Sequence, residues 1–331
     1  MKNRVLCVIL ALAITISVFS GCLSTENQWA LSNTQLDVLM SKYDGSGITI
    51  GIVDTGVDIS HPALSAMSII AWKDYVNGKS SPYDDNGHGT HVCGILAATS
   101  NWYDFFFGRP EINGIAPKAS YIIAKAIDSG GSGTDQNVAA AINFCASNGA
   151  DVICLSLGGK DNIPILGTNT GNAASSAASN GIFVVAAAGN DEAASDVAIP
   201  ADQQNVIAVG AVDSNNVIAS FSQRGSNGGI LPGVGGRSDP NKKPEVVAPG
   251  VGIISCWKEG LYGKASGTSQ AVPYAGGAIA LVLQAHGPVS ISAMKTALMN
   301  TAKKCPGQAT PHDNRYGYGL IQAADLLAAL Q

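Results

Sequence analysis

The chain has 331 residues, 46% of them hydrophobic and only 13% charged, which is ample material for a buried core and unlike a disordered chain. Its formal charge of −5 comes with no basic cluster, so the electrostatic footprint of a nucleic-acid binder is excluded. Seven cysteines form no CxxC pair and no zinc-type spacing, and 39 glycines point to many tight turns.

Residues 1–21 read as a targeting segment. Lys2 and Arg4 supply a positive start, and Val5 to Phe19 is an apolar run too short for a comfortable membrane span. Ser20-Gly21-Cys22 then resembles the lipobox of prokaryotic lipoproteins, in which the cysteine is lipid-modified and becomes the new N-terminus, although Phe19 stands where leucine is usual. Plain signal cleavage and an uncleaved anchor are the alternatives. In each case the body of the protein is exported, held at the outer face of the cell membrane through Cys22 or secreted. Loss of residues 1–21 removes two bases and no acid, leaving a more acidic body. The cysteines after Cys22 are odd in number and several sit in apolar runs, so buried free thiols are expected rather than a disulfide framework.

Residues 22–46 form a short lead-in. Ser32-Asn33-Thr34-Gln35 offers a capping box, followed by Leu36, Leu39, Met40 and Tyr43 at helical spacing, and Gly45 and Gly47 end that helix. Residues 47–331 make up one domain. Ile48 to Val53, Tyr121 to Ile127, Asp151 to Leu157, Ile182 to Ala188 and Val206 to Val212 read as buried strands. Helical stretches lie between and after them: Gln136 to Asn148, Asn172 to Asn180, Ser269 to Ala285, Ser290 to Ala302 and Leu320 to Leu330. Continuous apolar strands separated by helices indicate a parallel sheet covered on both faces, an α/β fold.

In open parallel sheets, reactive groups gather beyond the carboxyl ends of the strands. Three segments belong there or at helix starts: Val53-Asp54-Thr55-Gly56, Asn86-Gly87-His88-Gly89-Thr90-His91-Val92, and Gly267-Thr268-Ser269-Gln270-Ala271-Val272-Pro273. A hydroxyl becomes a good nucleophile when a base takes its proton, and a carboxylate orients that base. Asp54, His88 and Ser269 are the residue types this requires. A serine opening a helix also gains the positive dipole end and free N–H groups for a developing oxyanion. Taken singly, each segment is more often a turn or a helix cap. His88 and His91 share a helix face in the manner of metal ligands, but no glutamate lies between them and no third ligand is evident. Asp84-Asp85-Asn86 reads equally as a cation site or a solvated loop.

Together these segments resemble the three signatures of the subtilisin-like serine proteases, in the Asp, His, Ser order found in subtilisin itself and opposite to the Ser-first order of α/β-hydrolases. The resemblance runs from about Gly47 to Leu330 and takes in Leu155-Ser156-Leu157-Gly158-Gly159, Ala187-Ala188-Gly189-Asn190, Ser220-Phe221-Ser222 and Ala248-Pro249-Gly250. It implies a three-layer α/β/α sandwich with a mostly parallel seven-stranded sheet, and a serine endopeptidase working through an acyl-enzyme on Ser269. It also implies Asn190 as the side-chain oxyanion donor. Ser156, Leu157, Gly158, Gly159, Ala187, Ala188 and Gly189 are the implied substrate-binding segments, with Asp191 giving tolerance for a basic side chain. Polypeptide substrates, a monomer and no required cofactor go with it, and His61 and His91 are implied to be structural. A transpeptidase or esterase, or a catalytically silent member of the fold, is the rival reading.

Four departures from the family pattern stand out. Ala63 follows His61-Pro62 where a calcium-binding acid is often found, so the usual strong calcium site looks incomplete. The loop that would complete it is a longer insertion, Asn101 to Pro110, whose aromatic run reads as core packing, with a membrane- or partner-facing surface as the alternative. Residues 22–46 are too few for the folding prodomain that family members commonly carry. Cys93 stands where alanine is usual, about 140° around the helix from His88, and Gln270 replaces the methionine that usually follows the nucleophile.

Overall fold

The computed structural model describes residues 27–100, 109–159, 168–228 and 236–331. The targeting segment, Cys22 and the aromatic run of residues 101–107 lie outside them.

The expected strands form β1 (Thr49–Asp54), β3 (Ser120–Lys125), β4 (Val152–Leu155), β5 (Phe183–Ala187) and β6 (Ile207–Val212). Two further strands, β2 (Ser68–Asp74) and β7 (Val246–Pro249), complete a seven-stranded sheet of order β2-β3-β1-β4-β5-β6-β7, parallel at every pairing. An antiparallel hairpin, β8 (Ile253–Trp257) and β9 (Leu261–Ala265), stands apart from it.

The strands alternate sides with a period of two. In β4, Val152 and Cys154 join one core cluster while Ile153 and Leu155 join the other. The first cluster is closed by α3 (His88–Ala97), α6 (Thr268–His286), α7 (Ile291–Thr301) and α8 (Ala323–Leu330). The second is closed by α4 (Asp135–Ser147) and α5 (Asn169–Ser179). The fold is therefore the three-layer α/β/α sandwich.

The lead-in differs from expectation. It is two short helices, α1 (Gln28–Asn33) and α2 (Leu36–Met40), rather than one helix capped by Ser32. Gln35 precedes α2 in the left-handed region with φ 56°, and the Ser32 hydroxyl donates to Asp37 Oδ2 instead of capping a backbone N–H. Thr34 is buried, and its hydroxyl turns back on the Ala30 carbonyl, closing α1 at the point where the capping box would have opened a helix.

Cys93, Cys145, Cys154, Cys256 and Cys305 are all buried free thiols. Burial pushes the Cys93 thiol far above its ordinary range, and Cys93 packs into the core that α3 shares with α6.

Candidate active site

Sheet order reverses direction between β1 and β4, and a crevice opens beyond the carboxyl ends of strands at such a switch point. Asp54 is the last residue of β1, and Ser156 follows β4 directly. Ile52 faces Cys154 across the two strands, so Asp54 and Ser156 leave the sheet side by side. Asn190 leaves β5, the next strand over. His88 opens α3 and Ser269 sits in the first turn of α6. Asp54, His88, Ser156, Leu157, Gly158, Gly159, Asn190 and Ser269 all line one cleft of about 790 Å³.

His88 Nδ1 lies 2.7 Å from Asp54 Oδ1. Asp54 is 1% exposed. Its Oδ1 also accepts the Thr55 N–H at 2.7 Å, and its buried Oδ2 receives no hydrogen bond from any described residue. Thr55 returns the favour to the helix, its hydroxyl accepting the Gly89 N–H at 2.8 Å. Any side chain on Gly89 would strike the Gly56 carbonyl, so this close approach of α3 to the end of β1 requires glycine. Burial works against a charged His88 ring, but the Asp54 carboxylate, by charge and by hydrogen bond, outweighs it and raises the imidazole pKa above its ordinary 6.5.

On the other wall, Ser269 Oγ donates to the Ser156 carbonyl at 2.9 Å, while the Ser156 hydroxyl donates to the Ser269 carbonyl at 2.8 Å. Asn190 Oδ1 accepts both the N–H and the hydroxyl of Thr268, at 2.8 and 2.9 Å. With its oxygen fixed this way, the Asn190 amide NH2 is the end left to face other partners.

A second cavity of about 250 Å³ adjoins Ser269, lined by Leu157, Gly158, Gly159, Ala187, Gly189, Asn190, Asp191, Ala198, Gln223, Thr268 and Ser269. Ala188 is the one substrate-segment residue that lines neither cavity. It follows Ala187 on the strand path, so alternation turns its methyl into the core under α4 and α5; its carbonyl accepts the Ala198 N–H at 2.8 Å and its N–H donates to the Val209 carbonyl at 3.0 Å.

Gln223 was not foreseen. It is 6% exposed, its Oε1 accepts the Asp191 N–H at 3.3 Å, and its Nε2 donates to the Asp196 carbonyl at 2.8 Å. Gly189, at φ +107°, has room for no Cβ against this amide. Asp196 is in turn held by Arg237 through two bonds of 2.7 and 2.8 Å. A glutamine after Phe221-Ser222 carries no signal of its own in the sequence; its place follows only from the loop that brings it under Gly189.

The remaining candidates are structural. His61 Nε2 meets the Leu261 carbonyl at 2.8 Å, and its Nδ1 accepts the Ala63 N–H. His91 Nε2 lies 3.2 Å from the carbonyls of Ile253 and Gly263, one on each hairpin strand. Burial, then the nearby His88 charge, pushes the His91 pKa down to about 4. Asp84 is neither solvated nor waiting for a cation: its carboxylate accepts the N–H groups of Asn86, Gly87 and Thr90 and the Thr90 hydroxyl, capping α3. Ala63 is buried in a 3-10 turn and offers no side-chain oxygen, and nearby Asp58 spends its carboxylate on Ser60 and the Glu259 N–H. These residues do not fit a calcium ion.

A family model described as the subtilase family matches residues 45–319. The chain belongs to that family. Subtilisin DY from Bacillus licheniformis is 37% identical over 263 residues, 78% of this chain and 85% of its own. Subtilisin Savinase from Lederbergia lenta is 35% identical over 296 residues, covering 89% of this chain and 96% of its own. A thermophilic serine proteinase from Bacillus sp. (strain AK1) is 39% identical over 297 residues, covering 89% and 66%. The chain is accordingly a serine endopeptidase.

Proposed function

We propose that this endopeptidase cleaves polypeptides through an acyl-enzyme on Ser269, with His88 as general base and acid and Asp54 as its orienting carboxylate. The bond of 2.7 Å between His88 Nδ1 and the buried Asp54 carboxylate carries the reading. Because a carboxylate oxygen accepts, the ring proton sits on Nδ1 and Nε2 is left as the free base, the tautomer that proton abstraction needs. Ser269 Oγ rests on the Ser156 carbonyl rather than on His88; in this reading the hydroxyl turns to His88 Nε2 when substrate binds, as catalytic hydrogen bonds often form fully only in the complex.

A substrate strand laid along Ser156, Leu157 and Gly158 pairs with their backbone as an added strand. Its carbonyl oxygen, negative in the tetrahedral intermediate, takes hydrogen bonds from Asn190 Nδ2 and the Ser269 N–H at the start of α6. The cavity beside Ser269, walled by Gly158, Ala187 and Ala198, takes a large apolar side chain from the residue before the cut, and Asp191 on its lining adds tolerance for a basic one. The Lys2 and Arg4 start, the apolar run to Phe19 and Ser20-Gly21-Cys22 support export with lipid attachment at Cys22.

A fluorophosphonate probe should label wild type and fail on Ser269→Ala with the fold unchanged. Asn190→Ala should hold KM and lower turnover about 10²- to 10³-fold, the magnitude established for this donor in subtilisin itself. Full proteolysis by Ser269→Ala defeats the assignment.

A further inference from the structure

The acidic run ahead of His88 finds its cation within the chain. Lys125, the last residue of β3, has no exposed surface. Its ammonium donates to the Thr55 carbonyl at 2.7 Å, the Ile127 carbonyl at 2.9 Å and Asp85 Oδ1 at 2.6 Å. An ammonium has three N–H groups, and three acceptors take them.

Two of those acceptors belong to the segments that deliver the acid and the base. Thr55 follows Asp54, holds Asp54 Oδ1 with its N–H, and holds Gly89 of α3 with its hydroxyl. Asp85 lies between Asp84, which caps α3, and Asn86, whose side-chain oxygen accepts the His88 N–H at 3.1 Å. Strand β1 is fixed by its neighbours in the sheet. By contrast, the stretch from the end of β2 at Asp74 to His88 contains no helix or strand. An isolated bridge between Gly56 and Asp84, with the Val57 N–H donated to the Tyr83 carbonyl at 3.2 Å, ties its backbone to the segment after Asp54, and the Lys125–Asp85 bond adds a side-chain tie at the next residue.

We infer that Lys125 and Asp85 form a positioning couple for the Asp54–His88 pair, clamping the loop that carries His88 to the strand end that carries Asp54. The inference rests on the roles proposed for Asp54 and His88. Neither member of the couple touches the reacting atoms. Its effect is on where His88 stands, and a misplacement of about 1 Å in such a group costs on the order of 10² in rate. The tie is a hydrogen bond of fixed length from a buried donor, so an acceptor of the same shape without charge keeps it. That separates positioning from a purely electrostatic role.

The test compares full-length Asp85→Ala and Asp85→Asn with wild type, using one peptide substrate well below the lowest melting temperature, with active sites counted by fluorophosphonate. Asp85→Ala should lower kcat on the order of 10- to 100-fold at unchanged KM, and Asp85→Asn should recover most of that loss. Equal kcat losses in both variants, a loss carried by KM, or full kcat in Asp85→Ala overturns the inference. Lys125→Arg and Lys125→Met extend the comparison from the other side, with Met the more damaging. Loss of probe labelling in wild type at Ser269 would instead strike at the proposed roles themselves, leaving the two failures distinct.

Discussion

Pro273 stands four residues after Ser269, and the N–H it lacks is the one that would otherwise close a helical bond on the Ser269 carbonyl. That carbonyl accepts the Ser156 hydroxyl instead, at 2.8 Å. The first turn of α6 thus gives up one internal bond and gains a tie to the segment proposed to hold the substrate.

This arrangement predicts a coupling measurable by thermal unfolding. Ser156→Ala should destabilise by about 1–3 kcal/mol, because it leaves the Ser269 carbonyl without its donor. In that background, Pro273→Ala should recover part of the loss, since the new N–H reaches the same carbonyl. Strict additivity of the two changes would show that the carbonyl does not link them.

Thr268 is fully buried and holds Asn190 by two bonds, while its hydroxyl also accepts the Gly189 N–H at 3.1 Å. Thr268→Val keeps the shape and removes the hydroxyl. The expected result is a kcat about tenfold lower with KM nearly unchanged, as Asn190, the proposed oxyanion donor, loses its fixed direction. Steady-state kinetics on a single peptide substrate decides this; a change confined to KM would place Thr268 in ground-state binding.

His91 sets a limit at acid pH. Its folded pKa of about 4 lies below the ordinary 6.5, because the ring is buried beside His88. Between those two values the unfolded chain binds the extra proton, so stability rises with pH across that window and is lost as pH falls from about 6.5 to 4. The full loss is on the order of 3 kcal/mol. Urea unfolding of wild type and His91→Gln across that range should show a steeper decline in wild type, and parallel curves would exclude His91 as the source.

Gln270 is 2% exposed, and its buried Nε2 has no hydrogen-bond partner among the described residues. Gln270→Met should therefore raise the melting temperature, removing an unsatisfied amide worth about 1–3 kcal/mol. The same variant should become sensitive to dilute peroxide, which converts a thioether to a larger, polar sulfoxide. Wild type should keep most of its activity under peroxide, because the Cys93 thiol is buried and held protonated. Equal peroxide losses in wild type and Gln270→Met, unrelieved by Cys93→Ala, would contradict this.

The sequence made the central strands legible because each is a continuous apolar run buried on both faces. β2 escaped notice because it is the sheet edge: Ser68, Ile70 and Lys73 point outward, and Ile70 remains 54% exposed. The hairpin turns at Glu259 and Gly260, both at positive φ (63° and 67°), and glutamate is a poor advertisement for that conformation. The residues Asp54, His88, Asn190 and Ser269 were visible through their flanking glycines. The residues that hold them were not. Lys125 ends an ordinary strand, Thr268 and Thr55 look like turn residues, and Gln223 depends on contacts between segments far apart in the chain. Ala188 sits in the same motif, yet strand alternation turns its methyl into the core, which the motif alone does not reveal.

The five buried thiols give folding a kinetic dimension. In the folded protein they are buried and no pair among them is bonded, so they react slowly. In the unfolded chain all five are accessible and sit on one polypeptide that no native cross-link guides. Any disulfide formed at that stage joins sulfurs the native state keeps apart, and it blocks the core from closing until it is reduced. In an oxidising compartment, then, yield depends on the rate of collapse relative to the rate of thiol oxidation, and a reductant present during refolding should raise recovery without altering the stability of the finished enzyme.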